Sequence, residues 1–314
     1  MPQDLNEALR RHCPNDAAPR DQKTWMPGIT IRQPLAATFM RRSLVAMSVF
    51  FAIASARAAP LHVVVPARAY ADLAETISGG SVSISLMAAP LSHDGSLALP
   101  PDALVLCSGT RADAWLPDAA LRTAPRSTVV EVYGPSQGET ADVAFPWYDL
   151  PAVTAFSRAI ANEISRREPE AAMHVALNLM RLLNDFGTVQ QRINEIAKDY
   201  AHSDVIVADE FSRAVARQLG FGTKGLAAHD QRSLPSSAST TAALEDAVQR
   251  REGSIFLYDK DVARPAIKEL IAAATDNGIP VVALQETLPT GLHYQTWAMR
   301  QWNTIHGALN EAAP

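Results

Sequence analysis

Cysteine is scarce in this 314-residue chain, which contains only Cys13 and Cys107. Two cysteines so far apart exclude a disulfide-rich scaffold and a cysteine-based zinc finger. A basic excess is also missing, because the net charge is −5, so nucleic-acid binding is not expected. Hydrophobic residues make up 47% of the chain and charged residues 19%, which excludes a disordered protein. The length suits one large domain or two lobes of about 100–150 residues each.

The sequence also lacks an apolar run of the roughly 20 residues that a transmembrane helix needs. Its longest apolar run, 43–55, follows two arginines and precedes Ala56-Arg57-Ala58. A basic start, a short apolar stretch and small residues at a cleavage site are typical of a secretory signal peptide. We therefore predict a signal peptide at 40–58, with an uncleaved membrane anchor or a buried core helix as the alternatives.

Residues 1–39 form a polar leader that is unusual in front of a signal peptide. We predict that Met40 is the true initiator and that the leader reflects an over-extended start. The exported chain, 59–314, would then keep one cysteine, Cys107, in a predicted buried strand where it is chemically inert. No cysteine directly follows Ala58 at the cleavage site, so a lipid anchor is not expected.

Strand and helix patterns alternate in both halves of the exported chain, which favours βαβ units and a mainly parallel sheet in each. In the first half, strands are predicted at 61–65, 82–87, 103–107 and 128–133, with helices at 69–77 and 151–167. In the second half, strands are predicted at 204–208, 254–258 and 280–284, with helices at 210–219, 240–251, 263–277 and 294–309.

A long helix is predicted between the two halves, over 171–202. Apolar residues recur there at spacings of three and four, which predicts one apolar face: Leu177, Met180, Leu183, Phe186, Val189, Ile193, Ile196 and Tyr200. The alternative is two shorter helices that break at Gly187. The predicted fold is α/β, with two lobes at 59–169 and 203–314 joined by one long connecting helix at 170–202. A ligand is expected in the cleft between the lobes.

Four segments of the exported chain resemble the metal receptors of bacterial ABC importers, the periplasmic zinc- and manganese-binding proteins. The segments are ADLAETISGGSVSISL (71–86), LVLCSGTRADAW (104–115), WYDLP (147–151) and GIPVVALQETLPTGLHYQTW (278–297). The resemblance implies a monomeric periplasmic receptor with two α/β lobes about one long helix. Such a receptor binds a divalent metal ion, zinc or manganese, and delivers it to an inner-membrane ABC permease. It needs no organic cofactor and no catalytic residue.

The resemblance also implies which residues bind the metal. His93 matches the first ligand position, Asp209 the third and Glu286 the fourth. The second position holds Phe145, which cannot coordinate a metal, so either His229 or His293 is a possible substitute for the missing imidazole. One imidazole with two carboxylates favours manganese or iron more than a three-histidine site does, whereas the general affinity order favours zinc, so the metal stays open.

Each ligand assignment has a structural alternative. His93 and Glu286 lie in loops, where such side chains are often plain surface residues. Asp209 and Glu210 come at a predicted helix start, where carboxylates cap the helix and complement its dipole, and for Glu210 this alternative is favoured.

Two other functions compete with the metal receptor. Phe145 suggests a degenerate receptor that has lost the metal and binds another small ligand or a partner protein. An enzyme is disfavoured, because the sequence has no Gly-x-Ser-x-Gly elbow, no glycine-rich phosphate loop and no His-Glu-x-x-His motif.

Overall fold

The computed structural model describes residues 31–32, 60–87, 99–110, 113–133, 145–225, 238–262 and 265–313. Two sheets and one long helix dominate this part of the chain. No helix within these ranges is long and apolar enough to cross a membrane.

The first sheet and its helices form the N-terminal lobe. Its strands are β1 (Ile31–Arg32), β2 (His62–Val65), β3 (Ser83–Leu86), β4 (Leu104–Cys107) and β5 (Thr128–Glu131), in the order β1-β5-β4-β2-β3. The strands β2 to β5 pair in parallel, as predicted, and β1 adds an antiparallel strand that the sequence did not predict. The helices α1 (Arg68–Ser78) and α2 (Trp115–Thr123) complete the lobe. Cys107 is fully buried in β4, as expected.

The second sheet and its helices form the C-terminal lobe. Its strands are β6 (Asp204–Val207), β7 (Gly222–Lys224), β8 (Phe256–Asp259) and β9 (Val281–Leu284), all parallel, in the order β7-β6-β8-β9. Its helices are α5 (Glu210–Gln218), α6 (Ala238–Gln249), α7 (Pro265–Asp276) and α8 (Tyr294–Ala312). The short strand β7 was not predicted, because GTK has neither an apolar run nor alternation.

The helix α3 (Leu150–Arg167) ends the first half, and the long helix α4 (Ala172–Asp199) connects the two lobes. The helix α4 continues through Gly187, so the alternative of two helices is wrong and the long connecting helix is confirmed. Its 28 residues extend about 42 Å. It packs against α1, α3 and α8, and together with the two sheets it confirms the predicted two-lobe α/β fold.

The predicted apolar face of α4 is wrong in its first half. Leu177 is 40% exposed and Met180 is 62% exposed, whereas Val175 and Leu182 are buried. A helix turns about 100° per residue, so two positions that differ by two residues point about 200° apart, as 177 does from 175 and 180 from 182. The buried positions of α4 are therefore 175, 182, 186, 189, 193 and 196.

Candidate functional site

Three carboxylates lie at the carboxyl ends of neighbouring strands in the C-terminal lobe. Asp209 follows β6, Asp259 ends β8, and Glu286 follows β9. The carboxyl ends of parallel strands share one edge of a sheet, which is where open α/β folds bind ligands. The structure thus brings together two of the predicted ligands and adds a third acid that the sequence reasoning missed.

Each carboxylate oxygen of Asp209 accepts a hydrogen bond from a backbone amide. Its Oδ1 accepts the N–H of Ser212 at 2.7 Å and so caps α5, while Oδ2 accepts the N–H of Asp259 at 2.7 Å. The capping alternative is therefore confirmed. Each oxygen still keeps a lone pair, so the metal-binding role stays a prediction. Glu210 lies 3.2 Å from the guanidinium of Arg213, in keeping with the structural role favoured for it.

Asp259 connects the other two acids. Its side chain is only 3% exposed, and its Oδ1 accepts the N–H of Asp261 at 3.0 Å. The backbone N–H of Glu286 also donates to this carboxylate. Burial raises the pKa of Asp259; the amide hydrogen bonds oppose that shift, and the charges of Asp209 and Asp261 add to it. A run of carboxylate-to-amide hydrogen bonds therefore ties the ends of β6, β8 and β9 together.

The backbone of Glu286 is held by hydrogen bonds at both of its polar groups. Its N–H is held by Asp259, and its carbonyl accepts the indole Nε1–H of Trp147 at 2.7 Å. Its partly buried carboxylate forms no hydrogen bond or ion pair with any residue that the structure describes. Burial raises the pKa of Glu286, and the nearby charges of Asp259, Asp209 and Asp261 raise it further. A cation placed beside this carboxylate would relieve the cost of ionising it.

A short 3₁₀ turn that follows the N-terminal sheet holds the loop of Glu286. We call residues 145–148 the bridging segment. The Tyr148 hydroxyl donates to the carbonyl of Gln285 at 2.7 Å, and the Gln301 side-chain amide donates to that hydroxyl at 2.9 Å. The Gln218 side chain on α5 donates to the Tyr148 carbonyl at 2.7 Å. The bridging segment therefore contacts the C-terminal lobe directly at the candidate site.

Phe145 packs in an apolar environment within this segment. Its ring meets Phe211 edge-on with centroids 5.0 Å apart, and it lies 6.4 Å from the Trp147 ring. The aromatic contact explains why a phenylalanine is stable at this position.

Nowhere in the described ranges do three or more His, Cys, Asp or Glu side chains form a group that could hold a metal.

Of the three candidate histidines, only His293 lies in the part of the chain that the structure describes. His93 and His229 lie outside the described residues. His293 precedes α8, and its Nδ1 lies 2.9 Å from Asp72 on α1 of the other lobe. The N–H of Tyr294 donates to the same carboxylate at 2.7 Å, so His293 helps to join the lobes. The role of His229 or His293 as the substitute ligand stays a prediction.

The N-terminal lobe has a closed polar turn after β4. The buried Asp113 accepts the N–H of Ser108 at 2.7 Å and the Ser108 hydroxyl at 2.5 Å. Gly109 sits inside the turn with φ near 72°, and a Cβ there would lie 2.0 Å from the Tyr133 carbonyl oxygen, so only glycine fits. Burial raises the pKa of Asp113, and the hydrogen bonds from Ser108 oppose the shift. These polar groups satisfy each other and build the turn.

Sequence reasoning missed Asp259 and the role of Trp147 and Tyr148. Asp259 had a usable signal, because it follows a buried strand just as Asp209 does, and neighbouring parallel strands end at one edge. The contacts of Trp147 and Tyr148 span about 140 residues of sequence and had no such signal.

Comparisons with known proteins agree with the two-lobe fold. The sequence model of the family described as ZnuA, zinc-uptake complex component A, periplasmic, matches residues 63–308. The comparison with curated proteins gives no match.

Solved structures share the fold at low sequence identity. TroA, a periplasmic zinc-binding protein from Treponema pallidum, has a TM-score of 0.59 at 17% identity, covering 80% of this chain and 99% of its own. The SBP FpvC from Pseudomonas aeruginosa, in complex with Mn²⁺, has 0.59 at 14%, covering 81% and 99%. The Zn(II)-bound ZnuA-like domain of Streptococcus pneumoniae AdcA has 0.61 at 11%, covering 80% and 99%. At these identities the likeness establishes the fold.

Proposed function

The chain belongs to the periplasmic zinc-uptake component A family, and from this we propose that it is a receptor that binds a divalent transition metal between its lobes and delivers it to an ABC permease. The proposal assigns binding and release to the chain and no catalytic step. Export through the signal peptide predicted at 40–58 is part of the proposal, as is the division into lobes at 59–169 and 203–314.

The observation that carries the proposal is the contrast between the fixed backbone of Glu286 and its unpaired carboxylate among the described residues. Both backbone polar groups are fixed by Asp259 and Trp147, while the carboxylate is partly buried, close to two other acids and without a partner among the described residues. This arrangement orients an oxygen ligand before a metal binds. No residue in the described part of the chain compensates its negative charge. A bound cation supplies the missing charge.

The proposed ligands are His93, Asp209 and Glu286. This set leaves room for water at the metal and is richer in oxygen than a three-histidine zinc site. Structures of similar fold contain either metal, since FpvC is in complex with Mn²⁺ and the AdcA domain is bound to Zn(II). We propose both zinc and manganese as candidate cargo.

The test is a calorimetric titration of zinc, and then of manganese, into the metal-stripped full chain. We expect saturable one-to-one binding with Kd at or below about 1 µM. Glu286→Gln removes the charge but keeps the shape, and it should weaken binding at least about tenfold. Glu195→Gln is the matched control, because Glu195 pairs with Arg192 on α4 away from the three acids. Absence of binding, or equal effects of the two substitutions, would refute the proposal.

The second candidate is a receptor of the same fold that has lost the metal and binds another small ligand or a partner protein. The packing of Phe145 against Phe211 supports it, because a family ligand position is filled by an apolar contact. Phe145→His separates the two candidates. A large gain in zinc affinity favours a weakened metal site, and no gain favours the degenerate receptor.

A further inference from the structure

The loop that carries Glu286 has no regular secondary structure to hold it. Residues 285–290 follow β9 as an irregular segment, so the sheet supplies no ladder partner for their carbonyl groups. Backbone carbonyls that are removed from water need other donors. For the carbonyls of Gln285 and Glu286 the donors are side chains from elsewhere in the chain.

Two of these donors come from the bridging segment of the other lobe. The Trp147 indole donates to the carbonyl of Glu286, and the Tyr148 hydroxyl donates to the carbonyl of Gln285, both at 2.7 Å. Gln301 on α8 reinforces the second contact by donating to both the Tyr148 hydroxyl and the Gln285 carbonyl. Two successive peptide groups are therefore held from the N-terminal lobe.

Trp147 and Tyr148 are themselves held by further contacts. The Tyr148 ring is buried and meets three aromatic rings edge-on, those of Phe211, Trp297 and Trp302, at centroid distances of 5.0, 5.2 and 5.8 Å. Burial raises the pKa of the Tyr148 hydroxyl, so it remains a donor at neutral pH. The Trp147 carbonyl in turn accepts the Tyr294 hydroxyl at 2.5 Å.

We infer that Trp147 and Tyr148 are positioning residues for the metal: by holding the peptide groups of residues 285 and 286 from the opposite lobe, they set the direction of the Glu286 carboxylate. The direction of a side chain follows from the orientation of its own peptide groups, and a ligand loses affinity when it is displaced by about 1 Å. The inference rests on the proposed function, since it concerns the same site.

The first test is a double-mutant cycle on metal affinity. Tyr148→Phe keeps the ring and removes the hydroxyl. It should weaken zinc or manganese binding by roughly fivefold, the effect of one hydrogen bond. In a chain that already carries Glu286→Gln, the same substitution should change affinity less than twofold, because the carboxylate it positions is gone. Equal weakening in both backgrounds would show a merely structural role and would overturn the inference.

The control is Tyr200→Phe. Its hydroxyl donates to Asn310 at 2.5 Å and lies at the end of α4, so this substitution also removes a tyrosine hydroxyl and the hydrogen bond that it donates. Affinity should stay within twofold of the unsubstituted chain. An equal loss in the control and in Tyr148→Phe would also overturn the inference.

The second test needs no metal. Hydrogen exchange of residues 281–293 in the metal-free chain should become faster in Tyr148→Phe and stay unchanged in Tyr200→Phe, because the former removes the shorter of the two hydrogen bonds to the Gln285 carbonyl. Unchanged exchange in both variants overturns the inference even where Glu286→Gln binds too weakly to titrate. If the unsubstituted chain binds neither metal, the proposed function fails, and the positioning of Glu286 is judged on exchange alone.

Discussion

Replacing Asp209 tests the hydrogen bonds that tie the strand ends together. Asp209→Asn keeps an amide oxygen that can accept the Ser212 N–H and cap α5, since asparagine is a good capping residue. Its NH₂ group takes the place of Oδ2, where the N–H of Asp259 now donates. The substitution therefore keeps the cap of α5. It replaces the hydrogen bond between the ends of β6 and β8 with two donor groups that face each other.

The magnitude follows from these two contacts. Leaving the Asp259 N–H without an acceptor costs about 1–3 kcal/mol. Loss of the Asp209 charge offsets part of this cost, because that charge raises the pKa of both Asp259 and Glu286. The direct contact at 2.7 Å outweighs the more distant repulsion, so we expect Asp209→Asn to lose about 1–2 kcal/mol of unfolding free energy. Asp209→Ala also removes the cap and should lose about 1 kcal/mol more.

The assay is urea unfolding of the metal-free chain, followed by circular dichroism and supported by thermal melting. For a chain of 314 residues, 1 kcal/mol corresponds to roughly 1.5 °C in Tm. The expected order of stability is unsubstituted, then Asn, then Ala. Equal stability of the two variants would refute the capping role, and no loss in the asparagine variant would refute the contact with Asp259.

Two further predictions concern the N-terminal lobe and the connecting helix. Because burial raises the pKa of Asp113, the folded chain holds its proton more tightly than the unfolded chain does, and stability falls as pH rises from about 4 to the raised pKa. Asp113→Asn should flatten that part of the pH profile in urea unfolding, and a profile that keeps its slope would contradict this assignment. Phe186→Ala should cost about 3–5 kcal/mol because the ring is buried against Tyr294, whereas Leu177→Ala should cost under about 1 kcal/mol. Equal losses in the same unfolding assay would contradict the observed face of α4.

Local pattern was sufficient for most helices and strands. The buried strands β4 and β6 are short apolar runs, and the helices have a 3.6-residue periodicity, so both can be recognised from neighbouring residues alone. The pattern failed on α4, where exposed apolar residues at 177 and 180 matched the same spacing as buried ones. It also missed β7, which exists because Gly222 and its neighbours pair with β6.

The candidate site was only partly predictable. Asp209 and Glu286 follow from the family resemblance, and their metal binding remains a prediction. Their place at one edge of the sheet is a finding of the structure. His93 lies outside the described residues, so its role also remains a prediction. Asp259 could have been found from the strand order, had the adjacency of β6, β8 and β9 been considered.

The sequence by itself determined the α/β elements, the long helix and the family, because these depend on periodicity and on short segments in a fixed order. Only the tertiary structure decided which face of α4 is buried, which acid connects the strand ends, and which aromatic side chains hold Glu286. Those features depend on contacts between residues far apart in the chain. Their geometry is set when the two lobes pack together, and no local pattern records it.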